Sequence, residues 1–120
     1  MNRARAFLKL LSALPSGAVR FTDHFRIRKE ARGVSEAVIE DLLFNRKQDL
    51  IHVEQKTSSR GLRRFKAYYS ISKKKALLVV LDLETNNSLS VVTSMLMDKK
   101  AQLAAMRNAR RYEKLANRLR

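Results

Sequence analysis

The chain has 120 residues, of which 45% are hydrophobic, and its 26 Lys and Arg against 11 Asp and Glu give a net charge of +15. This length suits a single domain, and the apolar fraction is too high for a disordered basic tail. The absence of Cys excludes a disulfide scaffold, a thiolate zinc site and a Cys nucleophile. No apolar run reaches about 18 residues, the length of a membrane span, and no secretory cleavage signal is recognisable. We therefore expect a soluble cytoplasmic protein with an anionic partner, nucleic acid first and an anionic membrane or an acidic protein second. Because the apolar side of the C-terminal segment lacks Trp and Phe, a membrane partner is not predicted.

The N-terminal part of the chain has the 3.6-residue period of helices. Apolar spacing predicts an amphipathic helix over residues 3–14. A brief extended segment over residues 19–21 precedes a second helix, which Thr22 or Asp23 caps and which ends near residue 31. A third helix, over residues 35–45, begins at a serine cap.

After residue 45 the apolar period changes to two, which is typical of strands. Four strands are predicted, at residues 49–56, 62–71, 76–84 and 89–95. Short polar turns between the later strands predict an antiparallel meander. A helical pattern then returns from residue 98 to about residue 119. The predicted fold class is α+β, with N-terminal helices packed on a four-stranded antiparallel meander and a long C-terminal helix. The single domain would have three parts, at residues 1–19, 20–95 and 96–120.

Alternation along the strands divides their side chains between two faces of the sheet. The core face would carry Ile51, Val53, Phe65, Ala67, Tyr69, Ile71, Leu77, Val79, Leu81, Leu83, Leu89 and Val91. The opposite face would carry His52, Glu54, Lys56, Arg64, Lys66, Tyr68, Ser90 and Ser94. Because Leu78 and Val80 are apolar and also fall on this second face, we expect the C-terminal helix to cover part of it.

The first candidate constellation is the row His24, Arg28 and Arg32 on the second predicted helix. Their spacing of four residues places them on one side of that helix. Guanidinium groups bind phosphate oxygens by forked hydrogen bonds, and an imidazole can transfer a proton, so this row suits a phosphodiester. The alternative interpretation is an exposed basic helix face with a capping histidine.

The second candidate lies in residues 60–69, where cations alternate with aromatic side chains. Such a segment can contact a nucleic-acid backbone and stack bases. Tyr68 falls on the face away from the core and is the better stacking candidate. The proposed nucleic-acid contacts on and beside these strands are Lys56, Arg60, Arg63, Lys66 and Tyr68. The alternative is that the aromatic residues are core and the cations only solvated.

Two further patterns of charged residues remain, of which the first is weak. Glu54 and Lys56 have the Glu-x-Lys spacing of metal-dependent nucleases, but no upstream carboxylate is well placed, and a cross-strand salt bridge is the ordinary alternative. We predict no metal and no cofactor. The C-terminal segment would add nucleic-acid contacts or dock on a partner. Its candidate contact residues are Lys99, Lys100, Arg107, Arg110 and Arg111.

The segment FTDH at residues 21–24, Arg28, and ARGVS at residues 31–35 form one pattern with residues 63–69, 77–80 and 91–93. This pattern resembles the RelE/ParE-like toxin superfamily, and within it the BrnT-like branch, over about residues 20–95. Members of that superfamily are small α+β proteins of toxin–antitoxin pairs. Many are metal-independent ribonucleases, and some poison gyrase.

The resemblance implies roles for particular residues. His24 would transfer the proton. Arg28, Arg32 and Arg64 would stabilise the transition state, and Tyr68 would orient a base. Thr93 would form a hydrogen bond near the site.

Two functions are therefore predicted. The first is a toxin-type endoribonuclease that cleaves RNA rather than DNA by attack of the 2′-hydroxyl group. An antitoxin protein would be its partner, and a homodimer is compatible with the segments outside the family core. The alternative is a non-catalytic protein that binds nucleic acid through the sheet face and the C-terminal helix.

Overall fold

The computed structural model describes residues 3–15, 17–32, 34–100, 103 and 107, and for residues 28–32 it describes the backbone only. Within this part of the chain there are three α-helices, one turn of 3-10 helix and five β-strands. Their order is α1 (Arg3–Ala13), β1 (Val19–Phe21), α2 (Asp23–Arg32), α3 (Glu36–Asn45), the 3-10 helix (Lys47–Asp49), β2 (Leu50–Thr57), β3 (Arg63–Ser70), β4 (Lys75–Thr85) and β5 (Ser88–Asp98).

All five strands form one sheet in the order β1-β5-β4-β3-β2. Strands β2 to β5 are antiparallel neighbours, but β1 pairs with β5 in parallel. The structure is α+β with a mixed five-stranded sheet, so the predicted four-stranded antiparallel meander is wrong.

Strand β1 accounts for that difference. It has three residues, and its pairing runs from Val19 opposite Leu89 to Phe21 opposite Val91. Backbone hydrogen bonds continue the pairing at both ends, from Leu89 N to Ala18 O at 3.0 Å and from Thr22 N to Val91 O at 3.1 Å. Three residues carry too little periodic signal to reveal a strand, and the partner of this one lies about 70 residues further along the chain.

The end of the described chain also departs from the prediction. Strand β5 continues to Asp98, beyond the predicted end at residue 95, because the long strand β4 offers pairing partners as far as Lys75. Lys99, Lys100, Leu103 and Arg107 have helical backbone, and the rest of the predicted C-terminal helix lies outside the described residues. The long closing helix of the predicted fold class therefore does not match the elements that the structure describes.

The core lies between the helices and one face of the sheet. Each helix contributes buried side chains, among them Phe7 of α1, Phe25 of α2 and Leu42 of α3. Phe7 packs on Phe65 of β3 with ring centroids 5.3 Å apart. The sheet contributes Val53, Phe65, Ala67, Tyr69, Leu77, Val79, Leu81, Leu89 and Val91, all as predicted from alternation.

Two helix caps also follow the sequence. Thr22 Oγ1 accepts a hydrogen bond from Phe25 N at 3.2 Å, and Ser35 Oγ accepts one from Val38 N at 3.3 Å. These side chains satisfy backbone N–H groups that a helix start leaves without partners, and both caps are confirmed.

Two face assignments are wrong because strand pairing shifts register. A shift between Leu50 and His52 leaves Ile51 40% exposed, while Leu50 packs against the core. A second shift lies in the β4–β5 pairing, and beyond it Ser94 is opposite the core residue Val79. Cross-strand neighbours share a face, so Ser94 lies on the core side and Thr93, opposite Val80, lies on the other.

Candidate functional site

The face of the sheet opposite the helices is called the outer face below. It carries His52, Glu54 and Lys56 of β2, Arg64, Lys66 and Tyr68 of β3, Val80 and Asp82 of β4, and Ser90 and Thr93 of β5. Its centre is buried, since Tyr68 is 3% exposed and Val80 is 6% exposed. Accessible polar groups therefore lie towards the β2 edge.

Three partly accessible groups at that edge, His52, Lys56 and Lys66, form what we call the basic corner. Cross-strand pairing explains the grouping, because His52 is opposite Tyr68, Glu54 is opposite Lys66 and Lys56 is opposite Arg64. His52 and Lys66 are half-buried, whereas Lys56 is exposed. Partial burial and the neighbouring Lys56 ammonium group lower the pKa of Lys66 below its usual value. The two ammonium groups thus repel each other on one small surface.

A buried carboxylate lies beneath this corner. Glu54 is 6% exposed, and its Oε1 atom has no hydrogen-bond partner among the described residues. The Nε2 atom of His52 lies 3.8 Å from that oxygen. The Tyr68 ring packs beside the imidazole, with centroids 5.9 Å apart. Burial and the adjacent Glu54 carboxylate raise the pKa of Tyr68 to about 12. Histidine, carboxylate and tyrosine therefore form one contiguous cluster.

Arg64, predicted to stabilise a transition state, is held in an ion-pair network instead. Its Nε and Nη2 atoms donate to the two Asp82 carboxylate oxygens at 2.7 and 3.0 Å. Asp82 is 1% exposed, and hydrogen bonding to Arg64 lowers the pKa of this carboxyl group. Arg60 joins the network through Glu84 at 2.8 Å, and Ser90 donates to the same Glu84 oxygen at 2.6 Å. Both predicted phosphate-binding arginines already have carboxylate partners.

The other cations of this region lie apart from the basic corner. The Arg63 guanidinium lies 5.4 Å from the centroid of the core residue Phe65 and donates to Gln55 at 3.4 Å. It therefore belongs to the core side of the sheet end. Tyr68, predicted to stack a base, has its ring covered, so this surface offers no open tyrosine face.

The predicted row on α2 is separated from these groups. His24 is exposed in the first turn of α2, directly after β1 at the opposite edge of the sheet. Strands β5 and β4 lie between β1 and the strand of Arg64, which corresponds to roughly 14 Å at the usual strand spacing. The side chains of Arg28 and Arg32 lie outside the described residues. Thr93 lies on the outer face of β5 and is two strands away from Lys66.

A second basic group lies at one end of the sheet. A cavity of about 380 Å³ is lined by Lys73, Lys74, Asp98, Lys99 and Lys100. Lys99 N donates to Lys74 O at 2.9 Å, and Lys75 Nζ pairs with Asp98 at 2.6 Å, so β5 is fixed to the β3–β4 turn. Arg107 is exposed, while Arg110 and Arg111 lie outside the described residues.

Sequence reasoning did not include His52 or Glu54 among the site residues. Alternation did place both on the face of Lys56 and Lys66, and that signal was sufficient to group them. It carries no information on depth, however, and the burial of the Glu54 carboxylate is what distinguishes this cluster from an ordinary solvated strand. The structure does not add metal ligands to the Glu54-x-Lys56 pattern, since no group of three or more potential metal ligands occurs among the described residues.

Comparisons of the chain with protein-family models, with curated proteins and with solved structures found no match. No helix in the described part of the chain is long and apolar enough to cross a membrane. The arrangement of side chains is therefore the basis for assigning a function.

Proposed function

We propose that this protein binds RNA at the basic corner and cleaves it by a metal-independent reaction. The observation that supports this proposal most is the grouping of an imidazole and two ammonium groups around a single buried carboxylate. A phosphodiester needs cationic groups for its oxygens and, in RNA, a proton acceptor for the 2′-hydroxyl group. The corner offers both kinds of group on one accessible surface.

The two lysines favour an anion as ligand. The Lys56 ammonium group is close enough to lower the pKa of Lys66, and the buried Glu54 carboxylate lies opposite Lys66 across the two strands. A phosphodiester, whose single negative charge is shared by two oxygens, relieves the repulsion between the ammonium groups on binding. The net charge of +15 adds long-range attraction for a polyanion.

RNA is proposed rather than DNA because the 2′-hydroxyl group supplies an internal nucleophile. Cleavage through that group needs proton transfer and charge stabilisation, both of which side chains provide. The resemblance to toxin proteins extends the proposal to an antitoxin partner and to action in the cytoplasm, where RNA is abundant. An adjacent short reading frame that encodes an acidic protein would support this partner.

Non-catalytic binding of nucleic acid is the second candidate function. The observation that favours it is the ion pair between Arg64 and Asp82, because the Nε and Nη2 atoms of that guanidinium both donate to the carboxylate. A site with lysines alone binds phosphate as point charges and orients it less strictly than forked arginine contacts do.

A cleavage assay distinguishes the two candidates. Purified protein is incubated with labelled single-stranded RNA of mixed sequence in excess EDTA and, separately, with ribosome-bound RNA in the Mg²⁺ buffer that keeps ribosomes intact. We expect fragments that end in a 2′,3′-cyclic phosphate, and no cleavage of DNA with the same sequence.

The matched variants for this assay are the double substitution Lys56→Gln/Lys66→Gln and the exposed substitution Lys9→Gln on α1, which packs on the other face of the sheet. The double variant should lose cleavage, whereas Lys9→Gln should retain it. Activity that disappears in EDTA would contradict the metal-independent reaction. If the protein binds RNA but cleaves neither the free nor the ribosome-bound RNA, non-catalytic binding remains as the function.

A further inference from the structure

The basic corner contains one side chain that can accept a proton and one buried group that can orient it. His52 is half-buried on the edge strand β2, so part of its imidazole is accessible to a ligand. Its Nε2 atom faces Glu54 Oε1 at 3.8 Å, and that oxygen is buried without a hydrogen-bond partner among the described residues. The other ring nitrogen, Nδ1, is the atom left to act on a ligand.

Burying a carboxylate oxygen without a hydrogen-bond partner is unfavourable, so the position of Glu54 Oε1 needs an explanation. A shortening of less than 1 Å brings Nε2–H of His52 into hydrogen-bond range of this oxygen. Such contacts are often long in a protein without its ligand and tighten in the complex. The neighbouring Tyr68 ring restricts how far the imidazole can turn.

We propose that His52 is the proton acceptor of the RNA cleavage reaction and that Glu54 is its positioning residue. This inference rests on the proposed function. It assigns proton transfer to a residue other than His24, which lies at the opposite edge of the sheet and has no cationic partner from the basic corner beside it.

The reaction balances with these groups and solvent. Nδ1 of neutral His52 takes the proton from the 2′-hydroxyl group, and the 2′-oxygen forms a bond to phosphorus. The bond between phosphorus and the 5′-oxygen breaks, and the leaving oxygen takes a proton from water. The imidazolium then returns its proton to the solvent. Lys56 and Lys66 bind the phosphate oxygens and stabilise the charge that develops on them.

The test compares His52→Gln, His24→Gln and wild type for RNA cleavage and RNA binding in EDTA. Loss of a general base lowers rates by about 10²–10⁴-fold, so we expect His52→Gln to reduce kcat by at least about 100-fold while the Kd for RNA changes by no more than about threefold. Because glutamine keeps a polar side chain on an accessible strand position, the variant should fold, which circular dichroism checks.

The positioning role of Glu54 is tested by the tautomer of His52, which would not change if Glu54 only supported the fold. In Glu54→Gln, the ¹⁵N chemical shifts of His52 should show less of the tautomer protonated at Nε2, because a neutral amide attracts the Nε2–H group less strongly than a carboxylate does. Glu54→Asp should keep that tautomer in part, since its shorter side chain retains the carboxylate.

Each contrary outcome identifies which claim fails. Cleavage by His52→Gln within threefold of wild type overturns the assignment of His52 and leaves the proposed function in place. If His24→Gln loses cleavage while His52→Gln keeps it, the assignment of His52 is likewise overturned and the proposed function stays in place. Loss of RNA binding by folded His52→Gln makes His52 a binding residue and also overturns the inference. A Glu54→Gln protein with unchanged His52 tautomers overturns the positioning role. Wild-type protein without cleavage overturns the inference and the ribonuclease proposal together.

Discussion

At the scale of single residues, two adjacent tyrosines on β3 show how the face of the sheet sets the role of a hydroxyl group. Tyr69 points into the core and is fully buried, and its hydroxyl oxygen has no hydrogen-bond partner among the described residues. Burial raises the pKa of Tyr69. Tyr68 points to the outer face, where its hydroxyl group has the Glu54 carboxylate for a neighbour.

These surroundings predict opposite effects of the same substitution. Tyr69→Phe removes an unsatisfied buried polar group, so we expect the free energy of unfolding to rise by about 1 kcal/mol. Tyr68→Phe removes a group that stabilises the buried carboxylate, and we expect a decrease of about 1 kcal/mol. Urea denaturation of both variants measures the two changes. A loss of stability in Tyr69→Phe would show that its hydroxyl group has a partner.

At the scale of elements, the ion pair between Arg64 and Asp82 connects the neighbouring strands β3 and β4. Arg64 lowers the pKa of Asp82 in the folded protein, so this carboxyl group stabilises the fold above its unfolded pKa of about 3.9. That contribution is lost as the pH falls through the folded pKa. The ion pair therefore matters at neutral pH and disappears in acid.

The substitution Asp82→Asn tests this pair. It leaves a partly buried guanidinium without its charge partner, and we expect a loss of about 2–3 kcal/mol at pH 7. Below about pH 4 the difference between variant and wild type should shrink, first because Asp82 of the unfolded chain becomes protonated and, at lower pH, because Asp82 of the folded protein does too. Urea midpoints measured from pH 7 to pH 3 give the result. A constant difference at all pH values would mean that packing, and not charge, explains the loss.

At the scale of the whole molecule, the charge of +15 predicts binding that weakens steeply with salt. For single strands, log K falls by about 0.7 per log unit of salt for each phosphate contacted. We expect Lys56→Gln/Lys66→Gln to reduce the slope by about 1.4, because two contacts are lost. Filter binding at salt concentrations between about 50 and 300 mM measures this slope.

The control for that experiment is Lys9→Gln, which changes the net charge at an exposed site on α1, away from the basic corner. It should shift the affinity slightly and leave the slope unchanged. Equal slopes for the double variant and wild type would show that RNA binds elsewhere on the molecule.

The sequence predicted the parts of the fold that depend on local patterns. The caps at Thr22 and Ser35, the three helices and the core face of β3 follow from spacing that the chain itself displays. The register shifts beside Ile51 and Val92 were not predictable in this way, because alternation assumes an unbroken strand. Each shift moved a residue to the other face.

Composition and period thus determined by themselves that this chain is a basic α+β protein with one sheet face in the core. Only the tertiary structure decided that Val19–Phe21 pairs in parallel with β5, since that contact joins segments distant in the sequence. It also decided that Arg64 is engaged by Asp82 and that His52 lies over a buried Glu54. Burial and ion pairing depend on which strands become neighbours, and a pattern along a single chain does not contain that information.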